Sequence, residues 1–518
     1  MKSFLKDYSL QNTEKFNLDF IYLKDKENIM QYIDDICEAL NIVKGIEYMG
    51  SEFIGNERES VLKEDKNVNS SRMNLIKMRF RVTGHSNKHK KELSEEIEVP
   101  VLFPKIIDRF YFIHNGNYYF PIWQIVDKDT YVVGHGERRQ LVLKTLLLPI
   151  VLRYRLAEFK DMDEENVVKG RIFDLNLFSK KINFLYYYVT NFGINETISY
   201  FGYSEYITVL ESPCQLTDSN SVTFQVGNKL YLAVDQDKFK EGSLDFNNFV
   251  CSMIDFLLES KPKFKNLEEG DYWKKKLGSI FTKNLNNQID KVRSIILSFE
   301  RILDARTKKV LKVSERDKED TYAVVRWMIQ NYYDLSIKDN MHLENKRLRL
   351  YEYMVNPLLR KFSKATYRML NNKNEKKNTF EQLKSVFSNV KLNIVIKKLV
   401  QLDLLRYNNS VNGMDLFNSA LKGSFKGPQS MITPGKSSNV GLRYRSLHPS
   451  YMGHVSLTFS SAGDPGMTIM FTPFTKVEED LLFDSTPFKP SGKTYDESYF
   501  ENYLDELAYD DEESSDDD

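Results

Sequence analysis

The chain has 518 residues, 41% of them hydrophobic, which is ample for about two to four domains with real cores and excludes a disordered chain. Its formal charge of zero hides a division: Asp496–Asp518 holds 12 of the 73 acidic residues and no basic one, so Met1–Tyr495 carries 73 basic against 61 acidic residues. The three cysteines, Cys37, Cys214 and Cys251, are too few and too far apart for a disulfide framework or a paired-cysteine metal site.

From Glu27 to Val43, Ile29, Ile33, Ile36 and Leu40 recur at a helical interval. Ile76–Val82 alternates strictly, with Lys77, Arg79 and Arg81 opposite the apolar set, which predicts a half-buried strand whose basic face is ordinary solvated charge. His85–Glu96 reads as a charged loop; His85 and His89 stand there without a third metal ligand. In Arg109–Val126 two aromatic runs meet at Asn115-Gly116, the preferred two-residue hairpin turn, because both central positions need positive φ. A second hairpin is expected over Val222–Val234, turning at Gly227-Asn228. Between them, Gln140–Leu156 reads as an apolar helix interrupted by Pro149. Tyr186, Tyr187 and Tyr188 fit buried strand packing better than a base-stacking platform.

Beyond Asn247 the pattern turns helical, over Asn247–Glu259, Asn286–Asp304, Tyr322–Tyr333, Arg347–Leu370 and Phe380–Leu404. After Leu405 it changes to Gly, Ser, Asn and short apolar pieces. Gly423–Met470 contains 7 of the 23 glycines, as expected of a backbone that something approaches closely. Asp496–Asp518 reads as a solvated, disordered acidic end, with a nucleic-acid mimic as the second reading. The N-terminal MKSFLKDYSL has no apolar signal region, and no apolar run approaches the roughly 20 residues of a membrane span, so a soluble cytosolic protein without membrane contact is expected.

No P-loop, nucleophile elbow, zinc-protease helix or paired-cysteine motif is present, and the chain alone is expected to catalyse nothing. It offers cations instead. Arg360, Lys364 and Arg368, spaced by fours, share one face of a helix whose other face is apolar, an arrangement suited to phosphates or to plain solvation. Lys426, Lys436, Arg443 and Arg445 sit among Gly, Ser, Pro and Asn, where backbone N–H groups also reach phosphate oxygens.

Three segments, in order, resemble the β subunit of multisubunit RNA polymerases. Glu98–Val126 is similar to the protrusion hairpin, with Phe112, Ile113, Asn115, Gly116 and Gln124 on the pattern. In Asp339–Arg368, DNMHLENKRLRLYEYMVNPLLRKFSKATYR resembles the return to the protrusion, matching at Asp339, His342, Leu343, Asn345, Arg347, Leu348, Arg349, Arg360 and Arg368. Gly427-Pro428, Gly441, Arg445, His448, Pro449, Ser450, Gly453 and Val455 resemble the fork. There the family's Arg after the last Gly is His454, and its PIETPEG run gives way to Thr458–Gly466.

The resemblance covers the N-terminal half of a β subunit, split as in giant tailed bacteriophages, and the Lys-, Asn- and Ile-rich usage fits an AT-rich genome. It implies an α+β multi-domain fold: protrusion over 1–130 and 321–405, lobe over 131–320, fork over 406–490 and acidic tail over 491–518. Lys436, Arg443, Arg445, His448, Arg347, Arg349, Arg360 and Arg368 would contact DNA template or RNA transcript, with Asp464 and Lys426 near the active site. No catalytic residue or metal ligand is assigned to this chain; by the resemblance, Mg²⁺ is bound by β′. The implied partners are the C-terminal half of β, the β′ half-subunits and a promoter-specificity subunit, in the host cytoplasm or packaged in the virion. The alternative is a non-catalytic phage DNA-binding or virion structural protein with a polymerase-derived fold.

Overall fold

The computed structural model describes residues 26–55, 73–388, 405–425, 447–458 and 468–483, the last four stretches with short gaps. Helix Lys26–Ala39 forms where the period predicts it and runs into a 3-10 turn, Leu40–Ile42. It buries Ile33, Ile36 and Leu40 on a three-stranded antiparallel sheet of Ile46–Gly55, Met73–Ser86 and Lys91–Pro104. Cys37 Sγ lies 3.4 Å from Met78 Sδ across that contact.

In the middle strand Ile76, Met78, Phe80 and Val82 are buried. On its other face Lys77 pairs with Glu98 at 3.3 Å, and Arg81 with Glu47 at 3.3 Å and Glu96 at 3.0 Å. These are half-exposed cross-strand pairs, which screen one another and stabilise little. The loop expected over His85–Glu96 contracts to four residues, because both strands continue and His85 stands opposite Glu92. Among the described residues, no three His, Cys, Asp or Glu side chains are grouped to hold a metal.

The Asn115-Gly116 hairpin forms as expected: His114 faces Asn117, and Gly116 takes φ 78°. The second hairpin turns one residue later than predicted. Gly227 still pairs with Leu230, so the turn falls on Asn228 and Lys229, the latter at φ 60°.

Gln140–Leu156 is not a helix. It forms strand Gln140–Leu143 and the start of strand Ile150–Lys160, both in a five-stranded antiparallel sheet with Thr130–Val133, Val167–Leu177 and Lys180–Asn183. A strand with one face under a helix reads as a continuous apolar run, and Pro149 separates the two strands rather than bending one helix. Ile207–Leu210, Ser221–Gly227 and Leu230–Asp235 make a second, smaller sheet. Tyr186, Tyr187 and Tyr188 are buried, as the sequence suggests, but on helix Leu185–Phe192 rather than on a strand. There Tyr187 stacks on Tyr322 with centroids 4.2 Å apart, and the Tyr188 hydroxyl donates to the Tyr322 carbonyl at 2.7 Å.

The helical third quarter follows expectation at Leu244–Ser260, Gln288–Glu300 and Thr321–Gln330, and adds the charged helix Gly270–Phe281. Arg347–Leu370, expected as one helix, divides into strand Lys346–Arg349 and helix Asn356–Leu370. Of the expected helix Phe380–Leu404, Phe380–Lys384 is helical behind a Thr379/Gln382 capping box, and 389–404 lie outside the described residues. The chain is therefore mixed α and β with several small sheets. Among the described residues no helix is long and apolar enough to cross a membrane.

Helix Leu244–Ser260 reaches the five-stranded sheet where Gly170 leaves room. A Cβ on Gly170 would sit 2.9 Å from both the Asn247 carbonyl oxygen and Cys251 Sγ. The backbone contact cannot be relieved by a rotamer change. Gly170→Val is expected to cost about 1–3 kcal/mol, read as a lowered Tm and as faster hydrogen exchange in strand Val167–Leu177.

Candidate nucleic-acid interface

Four strands far apart in sequence meet in one sheet, in the order Lys346–Arg349, Trp123–Asp127, Lys422–Ser424, Thr468–Met470. The first two pair antiparallel, Lys346 opposite Asp127 and Arg349 opposite Gln124. Lys422–Ser424 lies parallel to Trp123–Asp127, with Ser424 opposite Gln124. Each of the three polymerase-like segments thus contributes to, or adjoins, this junction.

The strand Lys346–Arg349 is buried on both faces, although its sequence is Lys-Arg-Leu-Arg. Burying cations costs several kcal/mol each unless they are paired. Lys346 Nζ meets Asp127 Oδ1 at 2.5 Å; burial raises the Asp127 carboxyl above its usual range, and the Lys346 charge opposes that rise. Arg349, 1% exposed, donates from Nε to Gln124 Oε1 at 2.9 Å, and its terminal nitrogen shares the same acceptor. Arg347, also buried, forms an antiparallel bridge with Leu482. Arg347 and Arg349, expected against phosphates, therefore lie inside the chain, where the Arg349 guanidinium ties its strand to Gln124.

The junction also holds both roots of the glycine-rich loop. At its start, Gly423 packs so closely on Phe471 that a Cβ would approach the ring to 2.6 Å. Phe425 then stacks on Tyr451, centroids 6.0 Å apart. At its end, the His448 ring caps the 3-10 turn Pro449–Tyr451, with Nδ1 accepting from the Ser450 N–H at 3.2 Å and lying 2.7 Å from Ser450 Oγ. Ser450 Oγ in turn accepts from the Leu343 N–H at 3.0 Å. His342 caps its own turn, Leu343–Asn345, and its ring stands 5.3 Å from that of His448. Gly453 follows at φ 80°, a conformation that excludes a side chain without strain. Lys426, Lys436, Arg443, Arg445 and Asp464 lie outside the described residues.

The helix Asn356–Leu370 shows the two faces that its spacing predicts. Leu358, Leu359, Phe362, Ala365 and Met369 are buried, whereas Arg360, Lys364 and Arg368 are exposed together with Tyr367. Lys361 points elsewhere and donates to the Ser388 carbonyl. Like charges four apart repel by about 0.2–0.5 kcal/mol per pair. Among the described residues, no carboxylate pairs with this strip of positive charge.

Sequence reasoning missed Lys422, which sits between apolar neighbours at the loop's root with 7% of its surface exposed. Burial, aided by nearby Arg406, lowers its ammonium pKa to about 8. Its position two residues after Ala420 in a small-residue run gave no signal of burial.

The described residues thus combine a strand junction with buried cations, two anchored ends of a glycine-rich segment and an exposed cation ladder. The family model of the non-virion RNA polymerase subunit matches residues 3–486, and the chain belongs to that family. It is a subunit of an RNA polymerase, and its partners include other polymerase subunits. No curated protein gives a significant match to it.

Two outcomes test the junction. Arg349→Met is expected to destabilise by about 2–3 kcal/mol, since it leaves Gln124 short of a charged donor, whereas Arg360→Met stays within about 0.5 kcal/mol; hydrogen exchange in strand Trp123–Asp127 reads the difference. The second concerns pH. A lysine whose folded pKa falls to about 8 binds fewer protons than in the unfolded chain between that value and its ordinary 10.5. Stability should therefore rise with pH across this window. Lys422→Met should flatten that rise in a series of thermal melts.

Proposed function

We propose that this chain is the N-terminal half of a split phage RNA polymerase β subunit. In this reading it forms one wall of the DNA cleft and places the fork loop beside an active site completed by other chains. The observation that carries the reading is the junction sheet. The hairpin strand Trp123–Asp127, the return strand Lys346–Arg349 and the strands flanking the fork loop, Lys422–Ser424 and Thr468–Met470, are neighbours in one sheet. Segments that resemble one subunit in order along the chain are thereby also assembled in space.

Nucleotidyl transfer needs two Mg²⁺ ions held by carboxylates. By the resemblance, β′ is the proposed holder of those ions. The chain's own residues bind and orient. His448 is held in place through Nδ1. Lys426, Lys436, Arg443 and Arg445 supply cations along the loop, and Asp464 is the proposed replacement for the family's acidic residue. Arg360 and Arg368, with Lys364, present a second cationic surface for template or non-template strand. Arg347 and Arg349 act indirectly, by holding the loop's roots. Phosphate contacts of this kind position without reading sequence, so promoter choice belongs to another subunit. The family's description as non-virion favours work inside the infected cell over packaging, and weighs against the structural-protein alternative.

The test is reconstitution with the candidate C-terminal β half and β′ half-subunits. The chain should co-elute with them and support RNA synthesis on a primed template; failure of both sinks the reading. Within an assembled enzyme, Lys436→Ala with Arg445→Ala should slow elongation or open-complex formation by about 10-fold, on the scale of two lost phosphate contacts, with assembly intact. Unchanged transcription would remove the loop from the reaction path.

A further inference from the structure

The cation ladder on helix Asn356–Leu370 has no counter-charge of its own. Among the described residues, no carboxylate lies within 4.0 Å of Arg360, Lys364 or Arg368. The middle strand of the first sheet shows the contrast, for Lys77 and Arg81 there have Glu98, Glu47 and Glu96 at 3.0–3.3 Å. Tyr367, 46% exposed, adds an apolar surface among the three cations.

The chain itself carries a complement. Glu497, Glu501 and Asp505 repeat at intervals of four, the interval of Arg360, Lys364 and Arg368. Wound as a helix, that stretch would set its three carboxylates in a row, with Phe500, Leu504 and Leu507 beside them. The last described residues before it lie near the buried side of the cationic helix. Leu482 bridges Arg347, and Arg347 lines one small cavity together with Leu359 of the cationic helix. From Phe483 to Asp496 the chain can extend about 45 Å, against a helix about 22 Å long.

We propose that the acidic segment Asp496–Asp518 docks on the Arg360–Lys364–Arg368 face and occupies it until a nucleic acid displaces it. The docking rests on charge spacing and reach; the displacement rests on the function proposed above. The segment then acts as an intramolecular polyanion that keeps this face from non-specific nucleic acid before the polymerase engages its template.

The experiment compares the full chain with one ending at Tyr495. A labelled peptide of residues 496–518, added to the shortened chain at about 50 mM salt, should bind by fluorescence anisotropy and dissociate as salt rises. Arg360→Gln with Lys364→Gln and Arg368→Gln, all exposed positions, should weaken that binding at least about tenfold, as should Glu497→Gln, Glu501→Gln and Asp505→Gln in the peptide. On a labelled single-stranded DNA of about 20 nucleotides, the shortened chain should bind about tenfold tighter than the full chain, and the triple helix variant should erase that gain. Absence of peptide binding, or equal binding to the triple variant, overturns the docking. Peptide binding with no change in DNA affinity upholds the docking while removing this helix from the nucleic-acid surface, so the two readings fail separately.

Discussion

The structure around the loop depends on cations buried in a sheet. Lys346, Arg347 and Arg349 leave water only when strand Lys346–Arg349 closes on Trp123–Asp127, and the Gln124–Arg349 contact spans 225 residues of chain. Neither partner is tolerable alone. A buried guanidinium without its acceptor, or Asp127 without Lys346, would face the full desolvation penalty. The junction therefore forms as a unit, and the two strands fix each other's register more strictly than apolar packing would, because a slip of one residue would separate every charge from its partner.

The same junction holds the described residues at the two ends of the glycine-rich segment. Gly423 against Phe471 and Phe425 against Tyr451 hold the chain on entry and exit, while the Leu343–Ser450–His448 series ties the exit to the turn before the buried strand. The described residues on either side of that segment are thereby fixed in one packed sheet and the turn beside it.

Much of this was legible in the sequence, though unevenly. Local rules sufficed where local physics decides: the helical period of Ile33, Ile36 and Leu40, the Asn115-Gly116 turn and the fours of Arg360, Lys364 and Arg368 all stand in the structure. Local rules failed where tertiary burial decides. Leu141, Leu143, Ile150 and Leu152 are strand residues in a covered sheet, and an apolar run of that length has no period to separate it from a helix. Lys-Arg-Leu-Arg before a helical stretch reads as the helix's first turn, since nothing local announces that its charges meet Asp127 and Gln124 from another quarter of the chain. The glycines told of close approach correctly at Gly423 and of an unusual backbone conformation at Gly453, but not that Gly423's neighbour is an aromatic ring within the same chain.

The arginines of Asp339–Arg368 sharpen the point. Arg347, Arg349, Arg360 and Arg368 match one polymerase-like pattern equally well, and equal matching suggests equal roles. The structure divides them by burial. Arg347 and Arg349 lie at 3% and 1% exposure on a strand, while Arg360 and Arg368 face outward from a helix a few residues further on. A guanidinium serves both places for the same reason: it is always charged and forks to planar acceptors, whether a Gln124 side chain or a phosphate. What separates a strut from a contact is the presence of an acceptor in the fold. Where the fold supplies one, as Gln124 does for Arg349, the charge serves the fold; Arg360, Lys364 and Arg368 meet no carboxylate among the described residues and stand exposed.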